Sequence, residues 1–413
     1  MVQCLGTIGR FAPTQYRQLP TLPPCHAPLR VLIAHNRYQL RGGEDAVVEA
    51  ERDLLRANGH AVETYERSND ELRHTGAIRG AMESWWSPAT NADLAGLIAR
   101  FKPDVLHVHN TLARISPSIF YAAARHRLPT VMTLHNFRLL CPQGLLLRDG
   151  RPCEDCVGRL PWRGVAHGCY RNSRVQTAVV AAGVVGHVWA GTWRSRVDRF
   201  IALNAFCRDR FIAGGLPADK LRIKPNFVDL PPPVEHARQG LLFVGRLSEE
   251  KGVHVLAEAL QLRPLTESLL VAGEGPLASV LSGLPGVEQL GPQSSDAVFD
   301  RMRTARALIL PSIWYENFPR TLVEAYACGL PVIASRLGAM AALVQQGQTG
   351  LLFNPGDAAD LARVLAWALA HPEELARMGQ QARHRYESEL TGASNYHQLL
   401  NIYEEAMACH ATP

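Results

Sequence analysis

From Arg30 onward the chain alternates short apolar runs with segments of helical period, and it completes that alternation twice. The first series runs through "RVLIAH", a helical pattern from Glu44 to Asn58 closed by Gly59, "AVETYE", "DVLHVH" (104–109), "PTVMTLH" (129–135), "RFIALN" (199–204) and "LRIKPN" (221–226). "NFVDLPPPVEHARQG" (226–240) interrupts it, with three consecutive prolines in a polar setting that read as a linker. The second series is "LLFVG" (241–245), "SLLVAGEG" (268–275), "VEQLG" (287–291), "ALILPS" (307–312) and "PVIAS" (331–335), and the chain is helical from about Asp357. Such alternation predicts parallel sheet covered by helices on both faces. The reading is therefore an α/β chain of two Rossmann-like domains facing across a cleft, with a ligand at the carboxyl ends of the strands. Its boundaries are a disordered leader over 1–28, an N-terminal domain over 29–225, the linker over 226–240 and a second domain over 241–375. Helices over 376–413 are expected to pack back toward the N-terminal domain.

At 413 residues the chain is too long for one ordinary core. With 47% hydrophobic and 20% charged residues it is a soluble globular protein rather than a disordered one. The first thirty residues contain no apolar h-region of a secretory signal. "VQTAVVAAGVVGHVWAGTW" (175–193) scarcely reaches spanning length, contains His187, and reads as a helix packed inside the domain. The expected location is cytoplasmic, at most peripheral to the inner face of the plasma membrane.

"PSIWYENFPRTLVEAYACGLPVIAS" (311–335) carries the chemistry. A strand leads into a loop and then a helix, with Pro319 in the first turn, Gly329 just past the end and Pro331 barring continuation. A helix start after a strand is an anion site, because its N–H groups are free and the dipole is positive there. Glu316 before the helix and Glu324 within it are placed to accept hydrogen bonds from hydroxyls on either side of that anion. Hydroxyls flanking phosphates describe a nucleotide sugar. "FVGRLSEEKGVHVL" (243–256) supplies the cations, Arg246 after a strand and Lys251 before a helix, one fork-shaped and one a point charge. Lys251 is one of only four lysines among 43 basic residues.

"GRLSEEKG", "AGEGP", the 311–335 stretch and "GQTGLLFNPGD", in that order, resemble the C-terminal half of the retaining glycosyltransferases of family 4, which have the GT-B fold. The resemblance implies that Glu316 contacts the donor sugar and Glu324 the ribose, and that Arg246 and Lys251 hold the diphosphate. It places Asn317, Phe318, Pro319 and Leu322 on the same donor surface. "YQLRGGEDAVV" resembles the family's glycine loop, with Gly42 and Gly43 beside the donor phosphate, and His135 in "TLHNFRLLCP" matches the histidine at the sugar's reacting end. His107 and His109 in "HVHN" fall on the acceptor side. The implied catalytic pair is His135 and Glu316. No D-x-D carboxylate pair stands at a strand end, so catalysis is expected to need no metal; the resemblance implies that it proceeds with retention. The donor is expected to be a UDP- or GDP-sugar, and the acceptor a glycan, a polyprenyl-linked lipid or a small molecule. The alternative is a non-catalytic nucleotide-sugar-binding protein of the same fold.

Cys141, Cys153, Cys156 and Cys169 follow the spacing C-x11-C-x2-C-x12-C in a Gly- and Pro-rich segment poor in core residues. That spacing points to a structural four-thiolate zinc, with His167 a substitute ligand. Four buried free thiols, or a redox pair at Cys153 and Cys156, fit the same residues. Between residues 121 and 240 there are 18 Lys/Arg and 8 Asp/Glu, although the whole chain carries only +5. Positive charge concentrated in this way suits an anionic bilayer or a polyprenyl-diphosphate acceptor. The segment lacks the aromatic-interleaved basic run of a nucleic-acid reader, so no nucleic-acid partner is expected.

Overall fold

The structure is a computed structural model and describes residues 27–37, 42–70, 77–231 and 237–411. The leader reading over 1–28 therefore falls almost wholly outside the described residues, as do Pro232 and Pro233 of the linker.

The N-terminal sheet is built from β1 (Arg30–Arg37), β2 (Ala61–Ser68), β3 (Val105–Asn110) and β4 (Thr130–Thr133). A small hairpin, β5 (Leu147–Arg148) with β6 (Arg151–Pro152), lies outside the sheet, which β7 (Arg199–Ala202) and β8 (Leu221–Ile223) complete. Its order is β2-β1-β3-β4-β7-β8, all parallel. The C-terminal sheet comprises β9 (Leu241–Val244), β10 (Leu269–Ala272), β11 (Val287–Gly291), β12 (Ala307–Leu310), β13 (Val332–Ser335) and β14 (Gly350–Phe353), ordered β11-β10-β9-β12-β13-β14. Both are doubly wound parallel sheets. β3, β4, β12 and β13 are buried along their whole length, which explains runs of apolar residues without alternation.

β4, β7, β8, β9, β10 and β12 stop one to three residues earlier than the apolar runs suggest. His135 and Asn204 thus lie just beyond the carboxyl ends of β4 and β7, where side chains turn toward the cleft. The last helix, Gly392–Ala411, crosses to the other domain and puts Tyr396, Leu399, Leu400, Ile402, Tyr403 and Ala406 into the core behind β1 and β3. Each large apolar side chain buried this way contributes about 1.5–3 kcal/mol, so the crossing is a firm attachment.

One expectation is corrected. The helix Arg174–Trp189 is not packed inside the domain: only Thr177 and Ala181 are buried, and Val175, Val188 and Trp189 are 76%, 54% and 78% exposed. Its small residues admit a neighbour instead. A Cβ on Gly183 would lie 2.7 Å from the ring of Trp85, whose Nε1–H donates to the Val179 carbonyl at 2.9 Å. Among the described residues no helix is long and apolar enough to cross a membrane.

Candidate active site

The second domain positions its charged groups by bringing two strand-to-helix loops into backbone contact. The loop after β9 carries Arg246 and Lys251, and the loop after β12 carries Ser312 to Asn317. Gly252, at φ 71°, lies so close to the second loop that a Cβ would sit 1.9 Å from the Pro311 carbonyl, so no other residue fits. The Ile313 N–H donates to the Glu250 carbonyl at 3.0 Å and locks the approach. As a result Lys251 Nζ donates to Glu316 Oε1 at 2.7 Å, and Ser312 Oγ donates to the same oxygen at 2.7 Å.

Glu316 is only 6% exposed. Burial alone would raise its carboxyl. The Lys251 charge, with hydrogen bonds from Lys251 and Ser312, outweighs that and holds it below the usual glutamate value. Glu324 lies inside the helix Arg320–Ala327 and is raised by burial, with Arg320 opposing at 2.9 Å. Arg246 pairs with Glu250 at 3.0 Å but its side chain is 68% exposed, which leaves its guanidinium free to turn to a ligand. Pro319 is the N-cap of this helix rather than its first residue.

Two residues assigned to the donor surface are occupied otherwise. Leu322 is fully buried in the C-terminal core, because the helix turns that face inward, so its side chain cannot touch a ligand. The Asn317 side chain clasps the two domains: its Nδ2 donates to the Leu134 carbonyl at 2.8 Å, and its Oδ1 accepts from Cys207 Sγ at 2.8 Å. The Asn204 Nδ2 adds a bond to the Asn317 carbonyl at 2.7 Å. Phe318 packs against the cores of both domains. This clasp joins the immediate neighbours of His135 and Glu316. Sequence reading had no access to it, since its partners stand 183 residues apart.

In the N-terminal domain Gly42 caps the helix Gly43–Ala57 and donates its N–H to Asp45 Oδ2 at 2.8 Å. Neither Gly42 nor Gly43 adopts the left-handed region, and a Cβ on either would meet nothing within 4 Å. The fold itself does not require glycine there.

His135 is half-buried and lines a cavity together with the polar residues His109, Asn136 and Arg138. Trp85, Leu139, Val180 and Val184 are among its apolar lining. His35, His107 and His109 are all 2% exposed or less, and His109 stacks on His135. Burial lowers all four rings, His107 to about 4 and His109 and His135 well below the usual histidine value. These rings are neutral at physiological pH.

Cys141 and Cys156 are buried, Cys153 and Cys169 half-buried, and none is in a disulfide. The hairpin β5–β6 leads into Cys153, and Cys169 N–H donates to the Gly164 carbonyl beside Cys156. The Cys156 thiol is pushed up to about 11 by burial, with Cys141, Cys153 and Cys169 all adding to the shift. The other three thiols are thus near enough to act on Cys156, and four thiols are a donor set that zinc takes. No three of the four sulfurs lie within 4.8 Å of one another; among the described residues Glu51, His107 and His109 offer ligand atoms that do. Zinc–sulfur bonds of about 2.3 Å would require the cluster to draw inward. His167 is exposed at the end of a short helix.

Residues 41–231 match the family described as Glycosyltransferase Family 4, and residues 233–385 the one described as Glycosyl transferases group 1. The D-rhamnosyltransferase WbpZ of Pseudomonas aeruginosa is 31% identical over 166 residues, 37% of this chain and 43% of that protein. The sulfoquinovosyl transferase SQD2 of Arabidopsis thaliana is 25% identical over 298 residues, 70% of this chain and 54% of that one. The chain thus spans about half the length of these curated relatives. Among solved structures, Anabaena HepE in complex with UDP superposes with a TM-score of 0.64 at 18% identity, over 91% of this chain and 100% of that one. The sucrose-phosphate synthase of Thermosynechococcus elongatus gives 0.67 at 20% identity, over 92% and 100%.

Proposed function

The chain belongs to the family 4, group 1 glycosyltransferases with the GT-B fold, and from that premise we propose that it transfers a sugar from a nucleoside-diphosphate sugar to an amphiphilic acceptor with retention of configuration. The observation that carries the reading is the pair of Lys251 with the buried Glu316, joined through Asn317 to the strand end that bears His135.

In this reading the diphosphate lies at the start of the helix Arg320–Ala327, with Arg246 and Lys251 neutralising the charge that builds on the leaving group. Glu316 holds donor-sugar hydroxyls and Glu324 the ribose. The open space over Gly42 and Gly43 leaves their backbone free to approach a phosphate oxygen. The chain's own cations supply the positive charge, so the step needs no metal. The leaving phosphate takes the acceptor proton on the face from which the acceptor attacks. The donor base is uracil or guanine; HepE, crystallised with UDP, is the precedent for uracil. Incubating the protein with UDP- and GDP-sugars, and assigning the product anomer by NMR, tests the reading. Retention is expected; an inverted product overturns the mechanism, and no turnover with a non-hydrolysing bound donor favours a binding protein.

The acceptor end favours a lipid-linked substrate at an anionic membrane. From Cys156 to Val197 there is no Asp or Glu, while Arg159, Arg163, Arg171, Arg174, Arg194 and Arg196 are all exposed. Trp162 and Trp189, 64% and 78% exposed, stand among them. Aromatic rings beside arginines suit a bilayer interface. The protein is expected to pellet with phosphatidylglycerol vesicles at low salt, and Trp162→Ser with Trp189→Ser to reduce that binding several-fold. Equal binding to neutral vesicles would refute the electrostatic part.

We also propose that Cys141, Cys153, Cys156 and Cys169 hold a structural zinc, which would tie the hairpin to the short helix beside the acceptor cavity. Protein purified without added metal is expected to contain about one zinc per chain by elemental analysis. A ratio near zero leaves four free thiols.

A further inference from the structure

We propose that Glu51, acting through His109, is a positioning residue that fixes which nitrogen of His135 carries the proton. The inference deepens the proposed function and rests on its placing of His135 at the reaction site.

Four side chains from separate parts of the chain form a single file. Lys224 Nζ donates to Glu51 Oε1 at 2.5 Å, and both residues are fully buried. Glu51 Oε2 lies 3.5 Å from His109 Nε2. His109 Nδ1 lies 2.9 Å from His135 Nε2, and His135 lines the cavity. Glu51 Oε2 and His109 Nε2 are both buried and neither has another hydrogen-bond partner.

Two proton arrangements are available to neutral rings. In the first, His109 carries its proton on Nε2, aimed at the Glu51 carboxylate. Its Nδ1 lone pair then accepts from His135 Nε2–H, and His135 Nδ1 is bare. In the second, His109 Nδ1–H donates to His135 Nε2. A bare His109 Nε2 then faces a carboxylate oxygen, two buried acceptors with no donor between them. The first satisfies both orphaned atoms and the second neither, so the first prevails. His107 cannot substitute as donor: its Nδ1 bonds the Tyr403 hydroxyl at 2.9 Å and its Nε2 the Thr133 hydroxyl at 2.8 Å. The Lys224 ammonium is the cation that faces the Glu51 carboxylate, at 2.5 Å. That ammonium already supplies the positive charge that a metal would otherwise bring to Glu51, His107 and His109.

The consequence lies in the cavity. With Nε2 committed to His109, Nδ1 is the nitrogen His135 has left for a ligand, and it presents a lone pair. His135 therefore receives a hydrogen bond from a substrate hydroxyl and gives none.

Ring nitrogen-15 NMR of the full chain near pH 7.5 tests this directly. His135 is expected to be protonated on Nε2 alone; a proton on Nδ1 overturns the proposal. The charge-balanced double variant Glu51→Gln with Lys224→Met is expected to show mixed His135 tautomers and a kcat roughly tenfold lower, with donor KM nearly unchanged; an unaltered tautomer and kcat would refute the role. If that variant does not fold, His109 serves instead. His109→Leu is expected to lose kcat, and His109→Asn, whose amide oxygen can replace Nδ1 as acceptor, to recover most of it; equal loss in both means His109 merely packs. His135→Ala separates the two readings: wild-type transfer in that variant removes His135 from the reaction site, while the NMR result still decides the tautomer.

Discussion

Alanine at Lys251 is expected to lower turnover of the nucleotide sugar by roughly two to three orders of magnitude, the range seen when one preorganised group facing the developing charge is removed. Two effects combine. The ammonium no longer meets the leaving diphosphate, and Glu316, only 6% exposed, loses its charge partner at 2.7 Å. Burial then acts on Glu316 with the Ser312 hydrogen bond left to oppose it, so its carboxyl rises. The residual activity of Lys251→Ala should therefore climb with pH as Glu316 is forced to ionise, where the wild type stays flat. Glu316→Gln tests the other half: it keeps the Ser312 contact and the shape, so kcat should fall while the melting temperature barely moves. Steady-state kinetics from pH 5.5 to 8.5 with calorimetry on all three proteins decides it. Full activity in either variant would show that the donor site lies elsewhere.

The sequence made the two sheets legible because parallel strands buried on both faces are apolar without alternation, and their helices restore the 3.6 period between them. It made the donor loop legible because Gly252 and the lysine beside it carry local geometry in local residues. It did not show the Asn317 clasp or the Lys224–Glu51 pair, whose partners stand 183 and 173 residues apart. Periodicity did contain one signal for the second. On the helix Gly43–Ala57 the buried apolar residues are Val47, Val48, Leu54 and Leu55, and Glu51 falls at the centre of that face. A carboxylate there has no water to turn to, so a buried cation was implied, and the chain has four lysines to choose from. The helix Arg174–Trp189 misled for the opposite reason. Its apolar content reads as core, but its Ala and Gly residues make a thin face against Trp85 and leave the rest outside.

The same buried polar cluster sets an expected acid limit on the N-terminal domain. His35, His107 and His109 are 1%, 0% and 2% exposed, and burial lowers each ring, His107 to about 4. In the unfolded chain they titrate near 6.5. The native state therefore binds fewer protons than the unfolded state below that value, and stability that is whole above pH 6.5 is lost as pH falls toward the folded values. Each ring still neutral at pH 5.5 costs on the order of 1 kcal/mol there, so three together remove a large share of a marginal stability of about 5–15 kcal/mol. Paired carboxylates such as Glu316 are held low and titrate later, which separates the two effects. Asp45, 2.8 Å from His35, softens the loss there but does not cancel burial, since the ring remains lowered. Calorimetry is expected to show one transition falling steeply between pH 7 and 5.5 while the C-terminal domain, whose described core contains no buried histidine, holds. A melting profile flat over that interval would mean that the rings protonate in place, and that the file from Lys224 to His135 is not sealed from solvent.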